Sequence, residues 1–241
     1  MCQITEFRVL VEMISKQEAM LRMPDLNNVL SPEERKLVMR DMSVCEYHKN
    51  EIIYCEGEIP SSLMCLLEGK VKIYVEGVGG RSQIVRVVRS VEYFAYRAAF
   101  SNEPYVTFAA AFEPSVIACI PIALIKKLIM KNTALAWFFI KELSNSLGQS
   151  DKRTVNLTQK HIRGRLAESI LFLKESYGVE EDGCTLSIYL SREDMANLSN
   201  MTTSNAIRTL SMFAQEKLIA IDGRKIKIID QQGLENISRC G

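Results

Sequence analysis

The chain has 241 residues, 47% hydrophobic and 24% charged, and its 30 basic residues nearly balance 29 acidic ones to leave a formal charge of +1. That length allows two modest domains with a core each, and the near-neutral balance excludes a surface coated in basic charge, so any nucleic-acid contact must be local. A charged-then-apolar leader is absent and no apolar run approaches the roughly 20 residues that cross a bilayer, so a cytoplasmic protein without membrane contact is expected.

Residues 1–25 read as an amphipathic helical arm, with Phe7, Val11, Met13 and Ile14 among polar residues. Leu30-Ser31-Pro32-Glu33-Glu34 then opens a short helix, because a serine cap and a proline supply an acceptor and a preset φ where the first turn needs them. From residue 46 to 121 the period changes to two. Residues 52–54, 63–67, 71–75, 84–88, 106–111 and 116–120 are short β segments parted by glycine, proline or asparagine turns. Strands at roughly ten-residue intervals favour a barrel or sandwich. Gly77, Gly79 and Gly80 lie between two strands with no helix after them, so they predict a hairpin tip and not a phosphate cradle.

At Pro121 the pattern turns helical again, with a short helix over 122–130. Thr133 begins a long one in which Ala136, Ile140, Leu143 and Leu147 recur at 4-3-4 spacing. Such a stripe can pack on its own domain. Trp137, Phe138 and Phe139 give the helix further apolar sides, which makes a self-complementary seam between two copies the more economical use. Polar residues 156–160 predict a hinge, and 162–175 a further amphipathic helix.

Ser191 and Asp194 open the next helix, whose apolar face is Met195, Ala196 and Leu198, and Asn200 follows as a residue that tolerates a left-handed turn. A second helix starts near Thr202. Ala206, Ile207, Leu210, Phe213 and Ala214 form one stripe of it, while Ser204, Asn205, Arg208, Ser211 and Gln215 form the other. This outward face is polar, acid-free and carries one cation, which suits base edges and phosphates in a DNA major groove. Residues 218–229 read as two strands turning at Asp222-Gly223, with Arg224, Lys225 and Lys227 at or beyond the tip, where they would reach phosphates. A helix pair backed by a basic hairpin is a winged helix-turn-helix.

Cys2, Cys45, Cys55, Cys65, Cys119, Cys184 and Cys240 are odd in number and widely spaced, with no CxxC pair, so reduced thiols are expected, several of them in the core. Only His48 and His161 add imidazole, and no metal site is expected. No Ser-His-Asp or paired-carboxylate arrangement suggests an enzyme, and no catalytic residue is assigned.

This order of elements resembles the Crp/Fnr family of bacterial transcription regulators over about residues 26–229. KNEIIYCEGEIPSSLMCLLEGKVKIYVEG (49–77), with Gly57 and Gly69 at the family's β-roll turns, RGRLAESILFL (163–173) and LSREDMANLSNMTTSNAIRTLSMFAQEKLI (190–219) carry the resemblance. It implies an α+β chain: the arm over 1–25, a double-stranded β-helix or jelly-roll (β-roll) effector-sensing domain over 26–131, a dimerisation helix and hinge over 132–158, and a winged helix-turn-helix DNA-binding domain over 159–241. The implied function is a homodimeric, sequence-specific regulator of a pseudo-palindromic operator in double-stranded DNA, with RNA polymerase as a further partner.

On that resemblance Arg208 and Asn205 read bases, Thr202, Thr203 and Ser204 support them, Arg224 and Lys225 hold phosphate, and Ala136, Ile140, Leu143 and Leu147 form the dimer interface. Cyclic-AMP-binding members begin their phosphate segment with Gly-Glu and follow it with Arg-Ser or Arg-Thr. This chain has Ala95-Tyr96 at the first place and no arginine around Tyr105-Val106-Thr107 at the second, which argues against cyclic AMP. The clustered N-terminal cysteines of the oxygen-sensing members are missing, which argues against an iron-sulfur cluster, while haem is left open. Tyr96, Arg97, Tyr105, Thr107 and Ser150 match the positions around the family's effector and are the candidate pocket. Thr203-Ser204-Asn205 replaces the family's Arg-Glu pair, so a different operator half-site is expected. The alternative is a cyclic-nucleotide-binding-like module that acts on a partner protein instead of DNA.

Overall fold

Serine caps set the first helices. The computed structural model describes residues 14–77 and 82–240, and in it Ser15 caps α1 (Lys16–Leu21), followed by α2 (Pro24–Val29) and α3 (Pro32–Asp41). The expected start of α3 is a full capping box: Glu34 N donates to Ser31 Oγ at 3.2 Å and Ser31 N donates to the Glu34 carboxylate at 2.8 Å. Ala19, Met20, Met23 and Leu26 are buried in one cluster with Val38, Leu63 and Ile120. Phe7, Val11 and Met13 of the expected arm lie outside the described residues.

Eight strands build the roll: β1 (Ser43–Tyr47), β2 (Ile52–Tyr54), β3 (Ser62–Glu68), β4 (Val71–Glu76), β5 (Ser82–Val88), β6 (Tyr93–Phe94), β7 (Phe108–Ala111) and β8 (Ser115–Pro121), with α4 (Tyr96–Ser101) between β6 and β7 and α5 (Ile122–Ile129) after β8. They pair antiparallel in two sheets of four, ordered β1-β8-β3-β6 and β2-β7-β4-β5. Apart from the β4–β5 hairpin, successive strands thus alternate between sheets and enclose a core of their inward side chains. In β4 the alternation is visible as buried Val71 and Ile73 between half-buried Lys72 and Tyr74. Gly57 and Gly69 take φ of 85° and 87°. At Gly69 a Cβ would also fall 2.5 Å from the Pro114 carbonyl oxygen, so the turn excludes any side chain.

Two differences from the sequence expectation appear here. β1, β6 and α4 were not foreseen. The strand expected from 106 begins only at Phe108, because Tyr105 spends its backbone on the 57–58 loop, donating to Glu58 O at 2.9 Å and accepting from Gly57 N at 2.8 Å. The glycine tip of the β4–β5 hairpin, Gly79 and Gly80, lies outside the described residues.

The long helix α6 (Thr133–Gln159, 27 residues) is capped by Asn132 and buries Leu135 and Phe139 against the roll. It runs unbroken through most of the polar stretch expected to hinge, and the break is confined to Lys160 and His161 before α7 (Ile162–Tyr177). The C-terminal unit continues with α8 (Arg192–Leu198), α9 (Thr203–Gln215), β9 (Ile219–Asp222), β10 (Lys225–Ile228) and α10 (Gln231–Cys240). Its core, with Leu166, Ile170, Leu198, Leu210 and Phe213, also takes in Ile84, Val87 and Phe112 of the roll.

Polar contacts cross the same joint. Lys72 Nζ meets Asp194 Oδ1 at 2.8 Å, Gln83 Nε2 donates to Asn197 O at 2.8 Å, and Tyr177 donates to Val88 O at 3.3 Å. From α6, the half-buried Arg153 donates from its guanidinium to Ile84 O, to Val85 O at 3.1 Å and to Leu198 O at 3.1 Å. No helix among the described residues is long and apolar enough to cross a membrane.

Candidate nucleic-acid interface

Two caps and one left-handed residue place α8 and α9. Asp194 N donates to Ser191 Oγ at 2.9 Å, and that hydroxyl donates in turn to Asp194 Oδ2 at 2.7 Å. Asn200 adopts φ of 50°, the expected turn conformation, and Thr202 Oγ1 then accepts from Asn205 N at 3.2 Å to start α9. Ala206, Thr209, Leu210 and Phe213 face the core. Phe213 and Leu210 each add about 1.5–3 kcal/mol of burial, which fixes the rotation of the helix about its axis.

With that rotation fixed, Thr202, Thr203, Ser204, Arg208, Ser211 and Gln215 are exposed and Asn205 half-buried. Arg208 Nη2 donates to Asn205 Oδ1 at 3.0 Å, so the two expected base readers form one hydrogen-bonded unit. Ile207 corrects the expectation: assigned to the inner stripe, it is 47% exposed on the outer face. Glu216 caps the end of α9, and its carboxylate accepts a fork from Arg163 at 2.7 and 2.8 Å, which pulls its pKa down and neutralises the acid nearest the face.

The wing is β9 and β10, with Asp222 paired to Lys225 and a two-residue turn at Gly223-Arg224. The turn thus sits one residue beyond the expected Asp222-Gly223, because Gly223, at φ 55°, takes the first central position. Arg192 Nη2 donates to Gly223 O at 2.7 Å and braces the tip against α8. Arg224 is exposed and makes no ion pair among the described residues, whereas Lys225 lies 3.7 Å from Glu180 and Lys227 3.4 Å from Asp182. The sequence marks Arg192 and Arg163 only as cations of the C-terminal third and not as braces, since a bond to a backbone carbonyl and a pair 53 positions apart leave no local pattern.

The five candidate pocket residues do not converge. Tyr96 is buried against Phe100 and Phe139, facing α6. Arg97 is exposed and lies 3.5 Å from Glu103. Ser150 is exposed on α6, where its carbonyl accepts from Thr154. Only Tyr105 and Thr107 meet, through Tyr54: Tyr105 stacks on the Tyr54 ring at 3.9 Å, and Thr107 Oγ1 lies 3.2 Å from the Tyr54 hydroxyl. These side chains share the roll interior with Met64, Leu66 and Phe94. Ala95 stands at φ 68°, a backbone that glycine adopts freely and alanine does not. A cleft of about 350 Å³ lies instead at the joint, lined by Lys49, Lys72, Tyr74, Asp194 and Arg224 among others.

Around Tyr54 the roll interior is tyrosine, methionine and aliphatic groups; burial raises the Tyr54 pKa, and the cations of Arg86 and Arg97 lie near enough to offset part of that rise. For haem, His48 and His161 are both exposed, and burial pushes the Cys65 thiol up to about 12, which holds it protonated and a poor ligand. No group of three His, Cys, Asp or Glu side chains among the described residues has metal-binding geometry.

On α6, Trp137, Ile140 and Leu147 are 62%, 50% and 64% exposed. Ala136 and Leu143 of the expected seam are half-buried, and Leu143 packs partly on its own roll.

Comparison with known proteins gives two family-model matches, a cyclic nucleotide-binding domain over residues 44–132 and a Crp-like helix-turn-helix domain over 164–237, together more than half of the chain. A global nitrogen regulator from Synechococcus elongatus is 23% identical over 80% of this chain and 88% of its own. FixK2 from Bradyrhizobium japonicum superposes with a TM-score of 0.73 at 20% identity, covering 81% of this chain and 96% of that one. A CRP/FNR-family transcriptional regulator from Thermus thermophilus gives 0.69 at 20%, covering 82% and 98%. At these identities the structural likeness shows a shared fold.

Proposed function

Because the chain belongs to the Crp/Fnr family of transcription regulators, we propose that it acts as a homodimer on a pseudo-palindromic DNA operator, with an effector other than cyclic AMP or with none. The family is non-enzymatic, and DNA contact through the helix-turn-helix is its common property. The observation that carries the reading is the open outer face of α9, exposed and acid-free from Thr203 to Gln215. Arg208, held by Asn205, forks onto a guanine or phosphate, Thr202, Thr203 and Ser204 line the approach, and Arg224 and Lys225 take phosphate from the wing.

Pairing comes from α6. Trp137, Ile140 and Leu147 are a row of uncovered apolar side chains that Ala136 and Leu143 complete, and a two-fold axis along it sets each row against its copy. Two reader helices then enter successive major grooves about 34 Å apart. The stacking of Tyr105 on Tyr54 among apolar side chains in the roll interior supports an effector other than cyclic AMP, or none.

Selection of duplexes from a random pool by the full-length protein tests this, followed by gel shifts at two salt concentrations and sedimentation of the complex. The expected result is a preferred duplex bound at least about 10³-fold more tightly than random sequence, by two chains. Equal binding of selected and random duplexes rejects sequence-specific reading. One chain per duplex rejects the dimer.

A further inference from the structure

We infer that Ile207 reads the C5-methyl group of a thymine and so fixes one A·T position in each half-site. This rests on the proposed role of α9 as the helix that enters the groove. Ile207 is 47% exposed although the core side of α9 is already filled by Ala206, Thr209, Leu210 and Phe213. At about 100° per residue it lies roughly 40° from Ser211 and 60° from Ser204, well inside the outer face. Every other exposed side chain on that face, Thr203, Ser204, Arg208, Ser211 and Gln215, is polar. Arg208 is drawn toward Asn205 by its 3.0 Å bond, on the side of the helix away from Ile207.

The chemistry of the groove selects the partner. The thymine methyl is the one apolar group on a major-groove base edge; guanine, adenine and cytosine present only donors and acceptors, which an aliphatic side chain would strip of water and leave unpaired. A β-branched side chain on a helix has essentially one χ1 rotamer, so its methyls are presented at a fixed place with little entropy left to lose.

The test uses the full-length protein and the duplex that selection returns. Each thymine in the half-sites is replaced in turn by deoxyuridine, which keeps the pairing edge and the O4 acceptor and removes only the methyl. The expected result is one position per half-site where wild type loses about four-fold, or roughly fifteen-fold when both half-sites are changed. Ile207→Ala binds the thymine duplex as weakly as wild type binds the deoxyuridine one and ignores the replacement; Ile207→Thr, which keeps one methyl, falls between. Circular dichroism melts of both variants matching wild type confirm that the comparison is between folded proteins. Deoxyuridine without effect at every position, or Ile207→Ala that keeps the wild-type sensitivity, overturns the assignment of Ile207. A selection that returns no preferred duplex overturns the reader role of α9, and this inference with it.

Discussion

The interior of the β-roll and the outer face of α9 use polar side chains in opposite ways. Inside the roll, Tyr54, Tyr105 and Thr107 satisfy one another by stacking and a hydrogen bond. On α9, Thr203, Ser204, Arg208 and Ser211 stand in water with capacity to spare, and the one nearby acid, Glu216, is already occupied by Arg163. The polar groups inside the roll are spent on one another, while those on the outer face of α9 stand open to solvent. Hydrogen-bonding capacity left unused at a surface is thus a better guide to function here than the presence of polar residues in a known pocket.

The largest effect should come from the closed side. Tyr105→Ala should cost about 3–5 kcal/mol of stability, because an almost fully buried stacked ring leaves a cavity. Denaturant unfolding measures it, with DNA affinity of the folded fraction unchanged. A loss below about 1 kcal/mol would mean that the interior has room for a guest, and the contrast would fail. Next, Leu147→Glu should remove about 2–3 kcal/mol from the pairing of chains while leaving the melt of each chain nearly intact; sedimentation should then find single chains at concentrations where wild type is paired.

On the open side, Arg208→Ala should lose about 1–3 kcal/mol of discrimination at one base position with no change in melting temperature, whereas Arg224→Ala should weaken operator and random duplex alike. Binding measured across single-base operator variants separates them, and equal losses for both substitutions would erase the distinction between reading and clamping. The smallest effect concerns the acid side of the stability curve. Burial alone would raise the Glu168 pKa, but Lys160 at 2.8 Å, Ser238 and Asn156 outweigh it and hold the carboxyl below its ordinary 4.5. A folded value below the unfolded one stabilises the chain above the ordinary value and loses that contribution as pH falls through the folded one. Urea midpoints of wild type and Glu168→Gln should therefore differ at neutral pH and converge in acid.

Much of this architecture was legible before the structure. The caps at Ser31 and Ser191, the Asn200 turn, the alternation of Val71 to Tyr74 in β4 and the burial of Ala206, Leu210 and Phe213 on α9 are local patterns with a physical cause, and each stands where it was expected. Ile207 was not legible, because it falls about midway between Leu210 on the inner stripe and Ser204 on the outer one, roughly 60° from each at 100° per residue. Only the packing of Phe213 and Leu210 decides which way it turns. The pocket candidates scattered for a related reason: Tyr96 and Arg97 are neighbours on α4, so burying one against α6 sends the other to the surface. β1 and β6 escaped because one mixes Cys45 and Glu46 into its pattern and the other has two residues.

Arg153 gives the joint between the two units a particular mechanical character. Its guanidinium grips carbonyls of β5 on one side and the end of α8 on the other, with no carboxylate to follow it if either moves. A cation so placed cannot trade its acceptors gradually, since each half-made arrangement strands charge away from water. One side chain of α6 thus ties a strand of the roll to the end of α8, so the two units share a single cationic rivet.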